Sequence, residues 1–283
     1  MKLEEPAPKR ISIYGSDTQY WIYNPMRVRT IFMLHGFRGN HLGLKYIIAG
    51  LSNYRIIAPD LPGFGESSPM TKRTHDISGY SDFAQELMHQ LSLERPVLLG
   101  HSFGTIVAAH IAARRPEMFE NLILLNPITV SPQGGIKGAA AELVKAYYWL
   151  GTHSSDRWSR TILASRTFSR LMSLSLSRTR DAKIRKLVYN HHLSDLNYPQ
   201  NRGVIAQSFA DSITKTALDD AARITLDTLL IAGERDPITP VVSLHRLQAA
   251  LEKSHLIIIP KVGHLIHLET PVEAAQAIAQ YLG

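Results

Sequence analysis

The chain contains no cysteine among its 283 residues. Disulfides, zinc–thiolate sites and a cysteine nucleophile are therefore excluded. It also lacks any run approaching the roughly 18 apolar residues that a membrane-crossing helix needs. The opening MKLEEPAPKR places glutamates and prolines where a secretory signal would carry its apolar stretch. Together these absences lead to the expectation of a cytoplasmic protein. Acidic residues are outnumbered, 24 Asp and Glu against 31 Lys and Arg, for a net charge of +7. A basic chain can meet nucleic acid, an anionic membrane surface or an anionic substrate. No nucleic-acid reading motif accompanies the charge, so no nucleic-acid partner is expected. There is no internal repeat and no low-complexity linker. Hydrophobic residues make up 45% of the chain, enough for an ordinary packed core.

Short β-rich runs alternate with helical stretches. Residues 11–14 and 20–23 suggest an opening hairpin, with its turn at Gly15-Ser16-Asp17. Further strands are expected at 30–34, 55–58, 97–99, 122–125, 228–232 and 256–259, eight in all. The later ones are nearly continuous Ile, Leu and Val, as in strands covered on both faces. Helices are expected at 81–91, 103–115, 241–251 and 271–282, the last with Thr270 as cap and Pro271 in its first turn. This pattern predicts an α/β fold with a mostly parallel eight-stranded sheet and helices on both faces. The alternation stops between Ile128 and Ile224. That stretch is helix-like, rich in Arg and Ser, and holds Tyr147, Tyr148, Trp149, Trp158, Phe168 and Phe209. The expected division is a core of 1–127 and 225–283 with a helical cap, or lid, inserted at 128–224.

The most informative segment is Val97-Leu98-Leu99-Gly100-His101-Ser102-Phe103-Gly104-Thr105. A strand enters, a helix leaves, and Gly-x-Ser-x-Gly forms the corner, an arrangement known as a nucleophile elbow. The turn forces its central residue into a strained backbone, which requires small neighbours at Gly100 and Gly104. Ser102 is then held at the N-terminus of a helix, whose dipole favours developing negative charge. A serine hydroxyl is a weak nucleophile, so a base must take its proton.

Four segments in order resemble the α/β-hydrolase family: His35-Gly36-Phe37-Arg38-Gly39, Asp60-Leu61-Pro62-Gly63-Phe64-Gly65-Glu66-Ser67, the elbow, and Gly263-His264. The similarity covers nearly all of the chain outside the cap. It implies a carboxylesterase- or lipase-like serine hydrolase with no cofactor and no metal, acting on a small-molecule ester or related acyl compound. Of the 13 histidines, His264 is expected as the base, in the loop after the last strand; His267 is its nearest rival. Asp236, after the preceding strand, is expected as the acid that holds the imidazole, with Glu234 as rival. Some relatives place the acid after the earlier strand, where this chain has Asn126. The resemblance implies an oxyanion hole from the backbone N–H groups of Phe37 and Phe103, with His35 and Gly36 supporting that loop. Asp60 is expected to shape a turn through backbone bonds. His35, His41, Asp60 and His264 together could ligate a metal, but they show no ligand spacing.

A serine at the elbow disfavours reactions that use an aspartate nucleophile, and points to esters, lactones and thioesters. A second reading is a carbon–carbon bond hydrolase or lyase with the same triad, acting on a vinylogous diketo acid or another anionic substrate. A ligand-binding receptor on the same fold is a third, although all three triad positions are kept. Residues 151–225 carry 12 Lys and Arg against 6 Asp and Glu. Arg157, Arg160, Arg166, Arg170, Arg178 and Arg180 read either as a solvated face, as an inward clamp for a carboxylate, or as part of a membrane-facing cap. Oligomeric state is left open.

Overall fold

A computed structural model describes residues 4–131, 139–198 and 201–283. Parts of the expected cap, at 132–138 and 199–200, lie outside the described residues. Eight strands form one sheet: β1 (Lys9–Ile13), β2 (Ser16–Tyr23), β3 (Thr30–Leu34), β4 (Arg55–Pro59), β5 (Val97–His101), β6 (Leu122–Leu125), β7 (Thr228–Gly233) and β8 (Ser254–Ile259). Their order is β1-β2-β4-β3-β5-β6-β7-β8. Only the β1–β2 and β2–β4 pairs are antiparallel; from β4 to β8 the sheet is parallel.

Parallel neighbours require crossovers, and helices supply them. The described α-helices are α1 (Lys45–Ala49), α2 (Ile77–Gln90), α3 (Phe103–Arg114), α4 (Ala139–His153), α5 (Asp156–Leu163), α6 (Arg166–Leu176), α7 (Ala182–Ser194), α8 (Arg202–Thr214) and α9 (Val241–Ala250), which lie between strands, and α10 (Ile266–Glu269) and α11 (Pro271–Leu282), which follow the last one. Every residue of β5, β6 and β7 is buried, as their unbroken apolar runs require. Alternate residues serve opposite faces. Leu98, Leu124 and Leu230 join α2, α3 and α9 in one core. Leu99, Ile123 and Leu229 join α1 and α11 in the other.

Some boundaries differ from the sequence reading. Ile13 pairs with Ser16, so the hairpin turn is Tyr14-Gly15 rather than 15–17. Both turn residues have positive φ, 49° and 80°, which matches a two-residue hairpin loop. Ser16 belongs to β2, where its buried hydroxyl donates to the Ser68 carbonyl at 2.6 Å. Helix α2 starts four residues earlier than expected, at Ile77. The Asp76 carboxylate accepts from the Gly79 N–H at 2.8 Å and caps it. Strand β8 begins at Ser254 and takes in His255, and α10 was not anticipated.

Helices α4 to α8 lie between β6 and β7 in the chain. Tyr148, Leu163 and Val204 enter the same core as α2 and α3. Polar ties reinforce this packing. The Ile77 N–H donates to Asp211 at 2.7 Å, and the His75 N–H donates to the Gln207 side chain at 2.6 Å.

Candidate active site

The carboxyl ends of β3, β5, β6, β7 and β8 converge beneath the inserted helices. Ser102, at the corner between β5 and α3, has φ 51° and ψ −118°. That is a strained backbone for a residue with a side chain. The corner closes tightly enough that a Cβ at Gly104 would collide with the Leu34 carbonyl oxygen, and one at Gly100 with the Gly104 carbonyl. The pattern of glycines expected from the sequence thus has a steric cause on both sides of the turn.

Ser102 Oγ lies 2.8 Å from Nε2 of His264. His264 Nδ1 lies 2.7 Å from Oδ2 of Asp236. An ionised carboxylate can only accept, so Nδ1 carries the proton and Nε2 presents its lone pair to the serine hydroxyl. Asp236 is buried and fully engaged: its Oδ1 accepts from the N–H groups of Ile238 and Thr239 at 2.7 and 3.1 Å. Burial pushes its pKa up, but His264 and these backbone donors outweigh burial and hold it below the usual carboxylate range. Neither rival is hydrogen-bonded into this line. His267 stacks edge-on against His101, centroids 4.2 Å apart. The Glu234 carboxylate accepts from the Lys261 N–H at 2.8 Å and is half exposed.

Asn126, which holds the position of the alternative acid, is itself part of the arrangement. Its Nδ2 donates to Asp236 Oδ2 at 3.3 Å. The loop after β3 is fixed by His35, whose Nε2 accepts from the Leu61 N–H and whose Nδ1 donates to the Gly36 carbonyl, both at 2.8 Å. This is a neutral imidazole, and burial lowers its pKa accordingly. Phe37 and Phe103 both border the cavity. Among the described residues neither of their N–H groups has a protein acceptor. The Phe37 side chain packs within 5.5–6.3 Å, centroid to centroid, of Phe64, Phe103, Tyr148 and Phe209.

Asp60 shapes its turn as expected, accepting from the Glu66 N–H at 2.8 Å and the His41 N–H at 2.7 Å. Its Oδ1 also bonds the His41 ring at 2.9 Å. The nitrogens of His35 and His264 and the carboxylate of Asp60 are therefore committed to hydrogen bonds within the protein. Among the described residues no group of three or more metal-ligating side chains forms.

A cavity of about 410 Å³ opens over Ser102. Its walls include Tyr148, Phe168 and Phe209 from the inserted helices. Of the readings open for the arginines of residues 151–225, the structure sets aside the inward clamp and agrees with an exposed face. Arg157, Arg160, Arg166, Arg170, Arg178 and Arg180 are all exposed and none borders the cavity. The guanidinium that does border it is Arg38, in the loop after β3. Arg38 has φ 55°, and its Nη2 donates to the Leu163 carbonyl at 2.6 Å. Nearby, Asp195 accepts from Asn40 Nδ2 at 2.9 Å, and burial raises its pKa to about 7. Burial likewise lowers His191 to about 3 and His192 to about 4, so both are neutral. This polar end was not foreseen, because its members come from the β3 loop and from α7 and the turn that follows it, far apart in sequence.

A mostly parallel sheet bearing a serine at a strained strand–helix corner, with an imidazole and a carboxylate in line behind it, points to the α/β class of hydrolases. The family model for the alpha/beta hydrolase fold matches residues 29–271, and the chain belongs to that family. An uncharacterized hydrolase of Bacillus subtilis, YugF, is 26% identical over 99% of this chain and 100% of its own. The 2-hydroxymuconate semialdehyde hydrolase of a Pseudomonas species is 25% identical over 81% of this chain and 76% of its own. A thermophilic esterase from Thermogutta terrifontis superposes with a TM-score of 0.76 over 99% of this chain and 98% of its own, at 21% identity.

Proposed function

We propose that the protein is a serine hydrolase that cleaves a carboxylic ester, or a related lactone or thioester, through an acyl-enzyme on Ser102. The observation that carries this reading is the continuous line Asp236–His264–Ser102, with links of 2.7 and 2.8 Å. Ser102 Oγ attacks the carbonyl carbon as its proton passes to His264 Nε2. Asp236 stabilises the imidazolium that forms. The tetrahedral oxyanion is held by the N–H groups of Phe37 and Phe103 and by the N-terminus of α3. The intermediate collapses, His264 gives its proton to the leaving alcohol, and the acyl group stays on Ser102. Water then loses a proton to His264, attacks the ester and restores the serine.

On this reading residues 128–224 form a cap that supplies the aromatic wall of the acyl site. Phe37, Tyr148, Phe168 and Phe209 suit an apolar acyl chain. A second reading, cleavage of a carbon–carbon bond in an anionic diketo acid, is favoured by Arg38 at the cavity and by the semialdehyde-hydrolase relative.

A substrate panel of p-nitrophenyl esters, lactones, thioesters and vinylogous diketo acids separates the two. The first reading predicts the highest kcat/KM on an ester, lactone or thioester. Preferential turnover of the diketo acids, abolished by Arg38→Ala, would replace it with the second.

A further inference from the structure

Ten large hydrophobic side chains are exposed among the described residues, and six of them lie on three consecutive inserted helices. They are Leu143, Trp149 and Leu150 on α4, Trp158 on α5, and Leu171 and Leu174 on α6. The exposed large hydrophobics elsewhere are only Met and Val. The two tryptophans are 59% and 64% exposed, so large rings stand in water with no core to explain them. The three helices are neighbours. Helix α4 packs on α5, and Tyr147 of α4 stacks on Phe168 of α6 with centroids 3.4 Å apart.

The polar residues between them are largely of one sign. Arg157, Arg160, Arg166 and Arg170 are exposed, and among the described residues none forms an ion pair with an acid. The two acids of α4 and α5 are already neutralised. Glu142 meets Lys145 at 2.9 Å, and Asp156 meets Arg202 at 3.1 Å. On α6 the residues Arg166, Arg170, Leu171 and Leu174 fall at helical spacing on the exposed side, while Phe168 and Met172 turn inward to the cavity.

We propose that the outer faces of α4, α5 and α6 are a docking surface for an anionic phospholipid membrane. Tryptophan and leucine enter the boundary between headgroup and acyl chain, and arginine meets the lipid phosphates. Charge complementarity selects this occupant. A second copy of the same face would bring arginines against arginines, whereas an anionic bilayer offers the opposite sign. No described helix is long and apolar enough to cross a membrane; the proposed contact is a peripheral one through the exposed side chains named above. Helices α4 and α6 also wall the cavity on their inner side, through Val144 and Tyr148 and through Phe168 and Met172, which places that wall directly behind the lipid contact.

The inference does not depend on catalysis, and Ser102→Ala protein serves for the test. Its cosedimentation is measured with vesicles of phosphatidylcholine alone and of phosphatidylcholine mixed with phosphatidylglycerol, at low and high salt. Binding is expected only to the mixed vesicles, weaker at high salt, with a blue shift of tryptophan emission as Trp149 and Trp158 leave water. Arg166→Glu with Arg170→Glu should weaken partitioning roughly tenfold or more. Trp158→Ser with Leu171→Ser should weaken it to a similar extent. Unchanged Tm in both double variants shows that the fold survives. Absence of binding to mixed vesicles overturns the proposal, as does binding that survives both double variants. Self-association removed by Trp158→Ser with Leu171→Ser, without vesicle binding, would assign the face to a second copy instead.

Discussion

The side-chain amide of Asn126 donates to Oδ2 of Asp236, the same oxygen that accepts from Nδ1 of His264. The end of β6 and the loop after β7 therefore deliver two polar side chains to one point behind the imidazole. Asp236→Asn should lower kcat/KM by roughly 10²–10⁴, because a neutral amide neither fixes the tautomer nor stabilises the imidazolium. Adding Asn126→Asp to that variant should restore part of the loss, since the new carboxylate starts close to the same ring. Steady-state kinetics on one ester, with wild type and both variants, decides the matter. A double variant no faster than Asp236→Asn alone would show that a carboxylate at 126 does not reach the histidine productively.

Acid should destabilise the fold while most carboxylates are still ionised. Burial lowers the pKa of His35, His75, His101, His191, His192 and His267. Below the ordinary histidine value the unfolded chain takes up these protons and the folded chain does not. Stability from these groups is therefore complete at neutral pH and falls as pH drops from about 6.5. Asp195 and Glu269 act oppositely, because burial raises them and the folded state binds their protons first. Six groups against two leave the histidines in control. The expected result is a Tm several degrees lower at pH 5 than at pH 7. An equal or higher Tm at pH 5 would mean that the buried imidazoles are already charged or solvated.

Two glycine substitutions should fail in different ways. A Cβ at Gly104 meets the main-chain oxygens of Leu34 and His35, at the end of β3. Neither the strand nor the first turn of α3 is free to yield, so Gly104→Ala is expected to cost about 1–3 kcal/mol of stability. A Cβ at Gly263 meets the Leu176 carbonyl at the end of α6. That same oxygen accepts from the His264 N–H at 2.9 Å. The loop that carries the imidazole is freer to shift than a sheet strand. Gly263→Ala should therefore move His264 away from Ser102 and lower kcat/KM by about 10²-fold, the scale of an ångström's misplacement, with a smaller change in Tm than Gly104→Ala. Thermal melts and ester kinetics on both variants check this. Full activity in Gly263→Ala would show that the loop absorbs the methyl group without moving the base.

The sheet was legible because its central strands carry nearly unbroken apolar runs. Leu122–Leu125 and Thr228–Gly233 lie between two helical layers and have almost nothing polar to disguise them. The elbow was legible because close packing admits only glycine at 100 and 104. His264 and Asp236 could be singled out among many candidates by their places after β8 and β7, and the structure brings both to Ser102. What escaped were features set by tertiary contact. The start of α2 depends on the Asp76 cap and on the tie from Ile77 to Asp211, 134 residues away. Strand β8 extends back through Ser254 and His255 because they pair with Thr228 and Leu229, not because they are apolar. Arg38 entered the sequence reading as one letter of a loop motif. Its place at the cavity follows from the positive φ at that residue and the Leu163 carbonyl of α5, neither of which local pattern reveals. The arginines of α5 and α6 left several readings open for a related reason: charge counted along a helix does not say which face looks inward.

The most direct measurement is intact-protein mass spectrometry after treatment with a fluorophosphonate, followed by peptide mapping. A single adduct is expected on the wild-type chain, on the peptide that contains Ser102. No adduct should form on Ser102→Ala, and labelling of His264→Ala should be slower by several orders of magnitude, since the hydroxyl has lost its base. A wild-type chain that resists the reagent, or a Ser102→Ala chain labelled as fast as wild type, would contradict the assignment of Ser102 as the nucleophile.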